Sequence, residues 1–265
     1  DKGAIWHFGE PNQEQKALVA TNAWADLSHR GVISISGKDR LTWLHALTTQ
    51  HLEKLEAGKW VEALILDVQG HVIDQLFLVD DGNTTWLHTE NSRTQEILDY
   101  LNKMKFMLEV EVKDKSNDYA VLRAPGNSDL LGGPYALVPR GELKDTTDAF
   151  SKTHTQVGMW ALDALRVAAG RPRIGFDTDH KSIPNELGVL GGAVHMNKGC
   201  YRGQETVAKV FNLGNPPRRL VMLHLDGSAV VMPATGTPVE NDGVVVGFLG
   251  TVARHHELGP IALAV

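Results

Sequence analysis

The sequence predicts an α+β protein in which helices and antiparallel strands alternate before a β-rich C-terminal end. Apolar residues recur at helical spacing over 41–48 and 97–104. Short apolar runs over 60–67 and 72–79 are separated by a turn. After residue 215, valine-rich stretches are divided by Asp-Gly and Asn-Asp-Gly turns. The 265 residues fit one large domain or two to three small ones.

The first 115 residues are predicted to form an N-terminal α+β subdomain. A capping-box pair, Ser92 and Gln95, marks the start of its last helix. The predicted order of strand, helix, three strands, helix and strand resembles the split βαβ arrangement of ferredoxin-like folds, with an additional hairpin strand. The predicted elements are helix 17–26, strand 32–35, helix 41–48, strands 60–67, 72–79 and 84–89, helix 92–104 and strand 108–112.

A second α+β subdomain is predicted over 116–215. It contains a strand over 119–123, a Gly- and Pro-rich loop over 126–141 and a helix over 160–168 that ends at Gly170. Residues 171–204 show little periodicity, and an irregular stretch of that length is usually functional or disordered.

The remaining residues, 216–265, are predicted to form a small antiparallel β-barrel. Its strands are predicted at 220–225, 230–232, 244–249 and 251–253, with a shortened last strand over 260–265.

Composition excludes several classes of function. The balance of 26 basic and 32 acidic residues gives a net charge of −6, which argues against direct nucleic-acid binding. A lone cysteine, Cys200, cannot form an internal disulfide or supply all four ligands of an iron–sulfur cluster. No apolar run approaches the ~20 residues of a membrane span, and the first residues lack a signal-peptide core, so a cytoplasmic location is expected.

The most unusual segment of the chain is Lys198-Gly199-Cys200-Tyr201-Arg202-Gly203-Gln204-Glu205, here called the cysteine motif. A single cysteine is most often a small buried apolar residue. Here glycines and basic residues flank the sulfur and a helix is predicted to begin at Gln204, and both features favour a thiolate. We therefore expect a functional thiol.

The cysteine motif matches the K-G-C-Y-x-G-Q-E signature of the YgfZ family of folate-binding proteins. That family is related to the T protein, or aminomethyltransferase, of the glycine cleavage system. Weaker similarities to these proteins occur at 26–31, 35–39, 44–50, 69–76, 184–186 and 218–221. The resemblance implies a three-part ring that encloses a tetrahydrofolate site, with a role in making or repairing iron–sulfur proteins. It also implies that iron–sulfur proteins or their assembly factors are partners.

A folate site needs a polar group for the pterin edge, a flat apolar wall and a base for the glutamate tail. Glu186 is the candidate for the first, and Tyr201 or Trp43 for the second. Arg202, Arg218 or Arg219 could bind the tail. Two further residues of the cysteine motif, Lys198 and Gln204, are also expected near the ligand. Each of these side chains could equally be a surface charge or a core aromatic.

Two positions depart from the T-protein pattern. A paired Asp-Asp in the T protein includes its catalytic carboxylate, and the corresponding pair here is Asp74-Gln75. The T-protein segment Arg-x-Glu-Ala-Gly has become Arg166-Val167-Ala168-Ala169-Gly170, so Ala168 replaces a carboxylate that could face the pterin. The first departure weakens the case for one-carbon transfer. The second implies that folate binding is weak, differently arranged or rescued by Glu186.

Other catalytic and metal-binding patterns find no support. His255 and His256 are adjacent, so they face opposite sides of a strand, and the 12 histidines show no metal-ligand spacing. No metal site is therefore expected. The sequence also lacks a G-x-S-x-G elbow, a P-loop and a dinucleotide-binding fingerprint.

The sequence thus favours a tetrahydrofolate-binding accessory protein that acts in iron–sulfur cluster assembly or repair through Cys200. The alternative is a folate-dependent transferase like the aminomethyltransferases, in which Asp74 is the catalytic carboxylate. A third reading, supported by Ala168, is a scaffold that has kept the fold and lost the ligand.

Overall fold

Three β-sheets organise the computed structural model, which describes residues 3–128, 133–228 and 231–265. The helices are α1 (Pro11–Val19), α2 (Arg40–Leu47), α3 (Thr94–Met104), α4 (Leu143–Ser151), α5 (Met159–Ala168) and α6 (Gln204–Leu213). The first nine strands are β1 (Ala23–Asp26), β2 (Gly31–Ser36), β3 (Val61–Leu66), β4 (Val72–Asp80), β5 (Thr84–Thr89), β6 (Glu111–Asp114), β7 (Tyr119–Arg123), β8 (Tyr135–Pro139) and β9 (Thr155–Gln156). The last four are β10 (Val221–His224), β11 (Pro238–Asn241), β12 (Val244–His255) and β13 (Gly259–Ala264).

The N-terminal sheet has the strand order β3-β4-β5-β2-β6, and all its neighbours are antiparallel. Ile33 and Leu44 belong to the core between this sheet and helices α2 and α3. Val32 and Phe77 point to the opposite face and pack into a second core. Because both faces are covered, β2 is buried almost throughout instead of alternating with solvent. The α+β class predicted from the sequence is confirmed.

The second sheet has the order β8-β7-β1-β9 and includes three strands that the sequence pattern missed, namely β1, β8 and β9. The helix predicted over 17–26 is wrong from residue 20 onward, because α1 spans Pro11–Val19 and Ala23–Asp26 forms β1. Ala23, Trp24 and Ala25 are almost fully buried, so tertiary pairing overrides the helical preference of alanine. Strand β8 lies inside the predicted loop, where it pairs along the whole of β7. Helix α4 was not predicted.

The capping box expected at Ser92 and Gln95 does not form. Residues Asn91–Arg93 make a 3-10 turn, and α3 follows it with Arg93 at the N-cap and no side-chain cap. The helix itself is confirmed, since Ile97, Leu98 and Leu101 lie in the core as their spacing predicted.

The C-terminal sheet is antiparallel with the order β10-β13-β12-β11. Residues 244–255, predicted as two strands, form one strand with a register irregularity between Leu249 and Val252. β11 was not predicted, and the expected strand at 230–232 begins at Val230, outside the described residues. Within the described ranges these four strands form an open sheet and not the closed barrel that the sequence suggested.

The stretch from 171 to 203 is irregular, as predicted, apart from a short 3-10 helix at Pro184–Glu186. It is nevertheless packed, because Ile174, Leu187 and Val194 share a core with β3 and β4. The proposed boundaries at 115/116 and 215/216 stay predictions. No helix in the described part of the chain has the length and apolarity that a membrane span requires.

Candidate functional site

The cysteine motif comprises the end of the irregular stretch and the first two residues of α6. Cys200 is a free thiol with its side chain exposed to solvent. Its neighbour Gly199 has open space around its Cα, with no heavy atom within 4 Å of an added Cβ. The sulfur is therefore presented at the surface, where another molecule can reach it.

Lys198 anchors the start of the cysteine motif to the N-terminal subdomain. Its ammonium is buried and donates hydrogen bonds to the backbone carbonyls of His45, Thr48 (2.6 Å) and Gln50 (3.1 Å). These carbonyls lie at and just beyond the C-terminus of α2, where helix carbonyls lack intrahelical partners. Burial lowers the pKa of Lys198 to about 8. Lys198 therefore caps α2, and the expectation that it contacts folate stays a prediction.

Gly203 anchors the other end of the motif. It has a φ of +79°, and a Cβ there would lie 2.5 Å from the carbonyl oxygen of Asp67 and 2.8 Å from the Cα of Gly70. Gly70 belongs to the turn between β3 and β4, and a Cβ there would lie 2.7 Å from Thr206 of α6. The two backbones touch, so only glycine fits at this crossing.

The remaining motif residues do not converge on one cavity. Tyr201 is half-buried against the core of the irregular stretch, and its ring centroid lies 5.1 Å from the Lys198 ammonium. Arg202 is exposed, and it makes no ion pair with any residue in the described ranges. Gln204 is the first residue of α6. A role for these three side chains in binding folate stays a prediction.

Glu186 and Arg218 are bound to each other. The Arg218 guanidinium donates to both carboxylate oxygens of Glu186, at 3.1 and 3.0 Å, and to Asp179 at 2.7 Å. The pKa of Arg218 is raised, first by its hydrogen bond to Asp179 and then by that to Glu186. Glu186 is 3% exposed and also accepts the backbone N–H of Ile183. This cluster joins the irregular stretch to the C-terminal region, and the expected contacts of Glu186 with the pterin and of Arg218 with the tail stay predictions.

Arg219 and Trp43 lie in two different parts of the molecule. Arg219 lines a cavity of about 270 Å³ beside the C-terminal sheet, together with Arg218 and Val246. Trp43 is 4% exposed in the N-terminal core, and its indole N–H donates to the carbonyl of Met104. The expectation that Trp43 forms a wall of the folate site stays a prediction, and its burial in the core does not support it.

The pair Asp74-Gln75 presents its two side chains to different partners. Asp74 accepts two hydrogen bonds from Arg93, at 2.8 and 3.2 Å, and lines a cavity of about 350 Å³ with His71 and His180. Burial raises the pKa of Asp74, although Arg93 opposes that shift. Burial outweighs the Arg93 contact, so the Asp74 carboxylate accepts a proton more readily than an ordinary aspartate does.

The Gln75 amide donates to the Glu62 carboxylate at 2.6 Å. Glu62 is 4% exposed, and burial raises its pKa. Position 75 thus carries an amide in place of the second carboxylate of the T-protein pair, and this amide provides a hydrogen-bond donor for the buried Glu62. Sequence spacing could not reveal Glu62, because its contact is made across β3 and β4.

Helix α5 has cavities on two faces. Leu162, Leu165 and Ala169 line one of about 640 Å³, together with Arg123 and Arg171, and we call this cavity the α5 cleft. Leu162 also faces a smaller void of about 40 Å³ that Gln75 and Tyr135 line. Residues 166–170, which correspond to the T-protein segment Arg-x-Glu-Ala-Gly, therefore border a cavity of the size that small ligands occupy.

Arg123 is the residue of the α5 cleft that the sequence did not identify. It is 6% exposed, and its guanidinium donates to the carbonyls of Ala23, Ala124 and Gly126. Burial lowers its pKa to about 10, and no carboxylate of the described residues forms an ion pair with it. A buried cation without a counter-charge that faces a cavity is suited to an anionic ligand.

An alternating chain of buried charges lies behind the α5 cleft. Glu90 bridges Arg30 and Arg173, each at 2.9 Å, and Arg166 bridges Asp163 (2.7 Å) and Asp177 (2.6 Å). Burial alone would raise the pKa of Glu90, but Arg30 and Arg173 outweigh it and hold the value at about 2. Beside this chain, burial lowers the pKa of His29 to about 4, and neither of its ring nitrogens has a hydrogen-bond partner among the described residues.

One group of potential metal ligands was missed by sequence spacing. His45, His51 and Glu53 place one ligand atom each within 4.8 Å of one another. However, Nδ1 of His45 accepts the N–H of Leu52, which leaves the proton of the neutral ring on Nε2. Lys198 adds an ammonium next to His45. Both features oppose cation binding, so we assign no metal to this group.

Comparison with known proteins shows which proteins this chain is similar to. Residues 6–128 match the family model of the GCVT N-terminal domain. The crystal structure of the glycine cleavage system aminomethyltransferase T from Bartonella henselae superposes with a TM-score of 0.77 over 98% of this chain and 82% of that one, at 18% identity. The chain has an aminomethyltransferase fold.

Two curated relatives share this chain's sequence over most of its length. The aminomethyltransferase of Streptomyces avermitilis is 28% identical over 97% of this chain and 81% of its own. A mitochondrial protein of Mycosarcoma maydis, named as a homolog of the iron–sulfur cluster assembly factor IBA57, is 25% identical over 86% of this chain. The match spans 64% of that relative's length. The expected cytoplasmic location stays a prediction.

Proposed function

We propose that this protein binds a tetrahydrofolate and acts in the assembly or repair of iron–sulfur clusters through Cys200, as the YgfZ-like motif implies. The observation that carries the proposal is the exposed, free Cys200 on a loop whose two ends are fixed by Lys198 and Gly203. An accessible thiol held on a fixed loop is suited to transient coordination of a cluster that a second protein shares. Similarity to an IBA57 homolog supports this reading.

The α5 cleft is the proposed folate site. It is large enough for a ligand of this size, and Leu162 and Leu165 give it an apolar wall. The Arg123 guanidinium matches the carboxylates of a glutamate tail. Gln75 lines the adjoining void and offers a polar group for the pterin edge. When bound, the folate would supply one-carbon or reducing chemistry, while these residues bind and orient it.

A matched pair of variants tests the folate site. Ala169 is exposed and lines the α5 cleft, and Ala149 is equally exposed on α4 away from it. Ala169→Phe should weaken binding of tetrahydrofolate at least tenfold by calorimetry, because the new ring fills the cleft. Ala149→Phe should bind like the wild type. Equal affinities for all three proteins would place the ligand elsewhere, and no heat with wild-type protein at millimolar folate would favour a scaffold without ligand.

The sulfur is tested separately. Cys200→Ala should leave folate binding unchanged and remove support for cluster-dependent enzymes under oxidative stress. Lys209→Ala, on the exposed side of α6, is its control and should support them fully. Wild-type support by Cys200→Ala would contradict the role of the thiol.

A folate-dependent transferase is the second candidate, favoured by the fold and by similarity to a curated aminomethyltransferase. The absence of a second carboxylate at position 75, where the T-protein pair has one, argues against it. Incubation with a methylene donor and tetrahydrofolate decides between the two. Turnover that disappears in Asp74→Asn would favour the transferase.

A further inference from the structure

A second cavity lies on the face of α5 opposite the α5 cleft. It has a volume of about 520 Å³ and is bounded by Trp6, Trp160, Phe176 and the β12 residues Thr251–Arg254. Trp160 and Asp163 of α5 face it, whereas Leu162 and Leu165 face the cleft. The proposed folate function makes no use of this space, which we call the tryptophan cavity.

Aromatic rings form its walls. The Trp6 and Trp160 rings are 6.5 Å apart between centroids at an angle of 49°. Trp6 remains 51% exposed and Phe176 38% exposed, which leaves large aromatic surfaces in contact with water. Burial of such surface is a main source of ligand affinity, so a flat aromatic ring is the group that this wall would take up.

The wall is fixed before any ligand arrives. The backbone N–H of Trp160 donates to the carbonyl of Trp6 at 2.9 Å, and that of Met159 donates to Ile5 at 3.0 Å. A Cβ at Gly158 would lie 2.3 Å from the Trp6 carbonyl oxygen, so the N-terminal segment lies directly on the start of α5. A preformed wall loses little conformational entropy when a ligand binds.

The charges of the cavity favour one negative group at its rim. Arg166 is paired with Asp163 and Asp177, and Arg173 with Glu90 and Asp163, so the inner guanidinium groups have carboxylate partners. Arg254 differs from them, because it is exposed and makes no ion pair with any residue of the described ranges. Its backbone carbonyl accepts hydrogen bonds from Gln15 and from the Trp160 indole, which fixes its position on β12.

We propose that the tryptophan cavity binds a flat aromatic monoanion, with its ring against Trp6 and Trp160 and its anionic group at Arg254. The site is independent of the proposed folate site. Arg166 lines both cavities, but the aromatic residues Trp6, Trp160 and Phe176 line only the tryptophan cavity of the two.

Calorimetry with 2-naphthoate tests this site in the full-length protein. We expect one molecule per chain to bind with a Kd on the order of 100 µM, the range for a ligand of this size. The uncharged 2-naphthylmethanol and the non-aromatic cyclohexanecarboxylate should each bind at least fivefold more weakly. Excess tetrahydrofolate should leave the naphthoate affinity unchanged.

Variants locate the binding. Trp6→Ala should weaken binding at least tenfold, and Arg254→Gln about fivefold with a smaller dependence on salt. Phe8→Ala is the control, because Phe8 is an exposed aromatic residue of the same segment that does not line the cavity. In NMR spectra of the wild type, the Trp6 and Trp160 indole signals should shift with naphthoate and the Trp86 signal should not.

Three results would overturn the proposal. They are an absence of saturable binding up to 2 mM naphthoate, equal weakening by Phe8→Ala and Trp6→Ala, and displacement of naphthoate by tetrahydrofolate. The last result would show that the cavity belongs to the folate site.

Discussion

The ammonium of Lys198 lies 2.6 Å from the carbonyl oxygen of Thr48, at the point where helix α2 has just ended. This contact ties the cysteine motif to the N-terminal core, 150 residues away in the chain. Together with the crossing of Gly203 over Gly70, it explains how an exposed loop can hold Cys200 in a defined place.

Lys198→Met should destabilise the protein, because the buried carbonyls of His45, Thr48 and Gln50 would lose their shared donor. We expect the free energy of unfolding in urea to fall by about 1–3 kcal/mol. Lys209→Met, an exposed change of the same type, should leave it within about 0.5 kcal/mol of the wild type. Equal stability of the two variants would show that the cap is dispensable.

Gly203→Ala should disturb the motif more than an ordinary glycine replacement. Gly203 and Gly214 flank α6 with nearly equal φ values of +79° and +78°, but only Gly203 meets backbone atoms within 3 Å of an added Cβ. Gly214→Ala should therefore lose only the left-handed backbone preference, about 1–2 kcal/mol. Gly203→Ala should reduce the free energy of unfolding by more than this in the same urea titration. A loss no larger than that of Gly214→Ala would contradict the close crossing.

The sequence predicted the parts of this site that depend on local pattern. The strands around the β3–β4 turn, helix α5 and the start of α6 follow from apolar spacing and glycine positions. Contacts across the chain could not be predicted in the same way. Arg123 is recognisable only when β7 and β1 are paired, and Glu62 only when β3 and β4 are paired, which brings Gln75 opposite Leu64 and within reach of Glu62.

The same limit applies to the side chains that were expected to contact folate. Glu186 and Arg218 are 32 residues apart, and the sequence alone does not show that their charges pair with each other. Trp43 is a similar case, since the sequence does not show whether an aromatic residue on a helix faces a ligand or the core.

The protein should lose stability in mild acid because of His29. Burial holds the pKa of His29 at about 4, so between that value and the ordinary histidine value of 6.5 the unfolded chain binds a proton that the folded chain does not. Stability therefore rises with pH across this window and is lost as the pH falls from 6.5 to 4. In His29→Leu the free energy of unfolding should not show this rise between pH 4 and 6.5 when urea unfolding is measured at half-unit steps of pH. Parallel curves for the two proteins would contradict the buried, neutral state of His29.

Gln75→Glu should lower stability at neutral pH. The substitution keeps the shape of the side chain but places a second carboxyl group 2.6 Å from Glu62, whose pKa burial already raises. The folded variant should retain one proton between the two acids, so its unfolding free energy should fall as the pH rises above the range of unfolded glutamate. Unfolding at pH 5 and pH 8 checks this. If the loss of unfolding free energy relative to wild type were no larger at pH 8 than at pH 5, the close contact between residue 75 and Glu62 would be contradicted.

The central claim is tested most directly in cells that lack this protein and are complemented with wild type, Cys200→Ala or Lys209→Ala, with the activity of a cluster-dependent dehydratase measured after oxidative stress. The account predicts that wild type and Lys209→Ala restore the activity, while Cys200→Ala leaves it at the level of the empty control at equal protein abundance. Full restoration by Cys200→Ala would contradict the account.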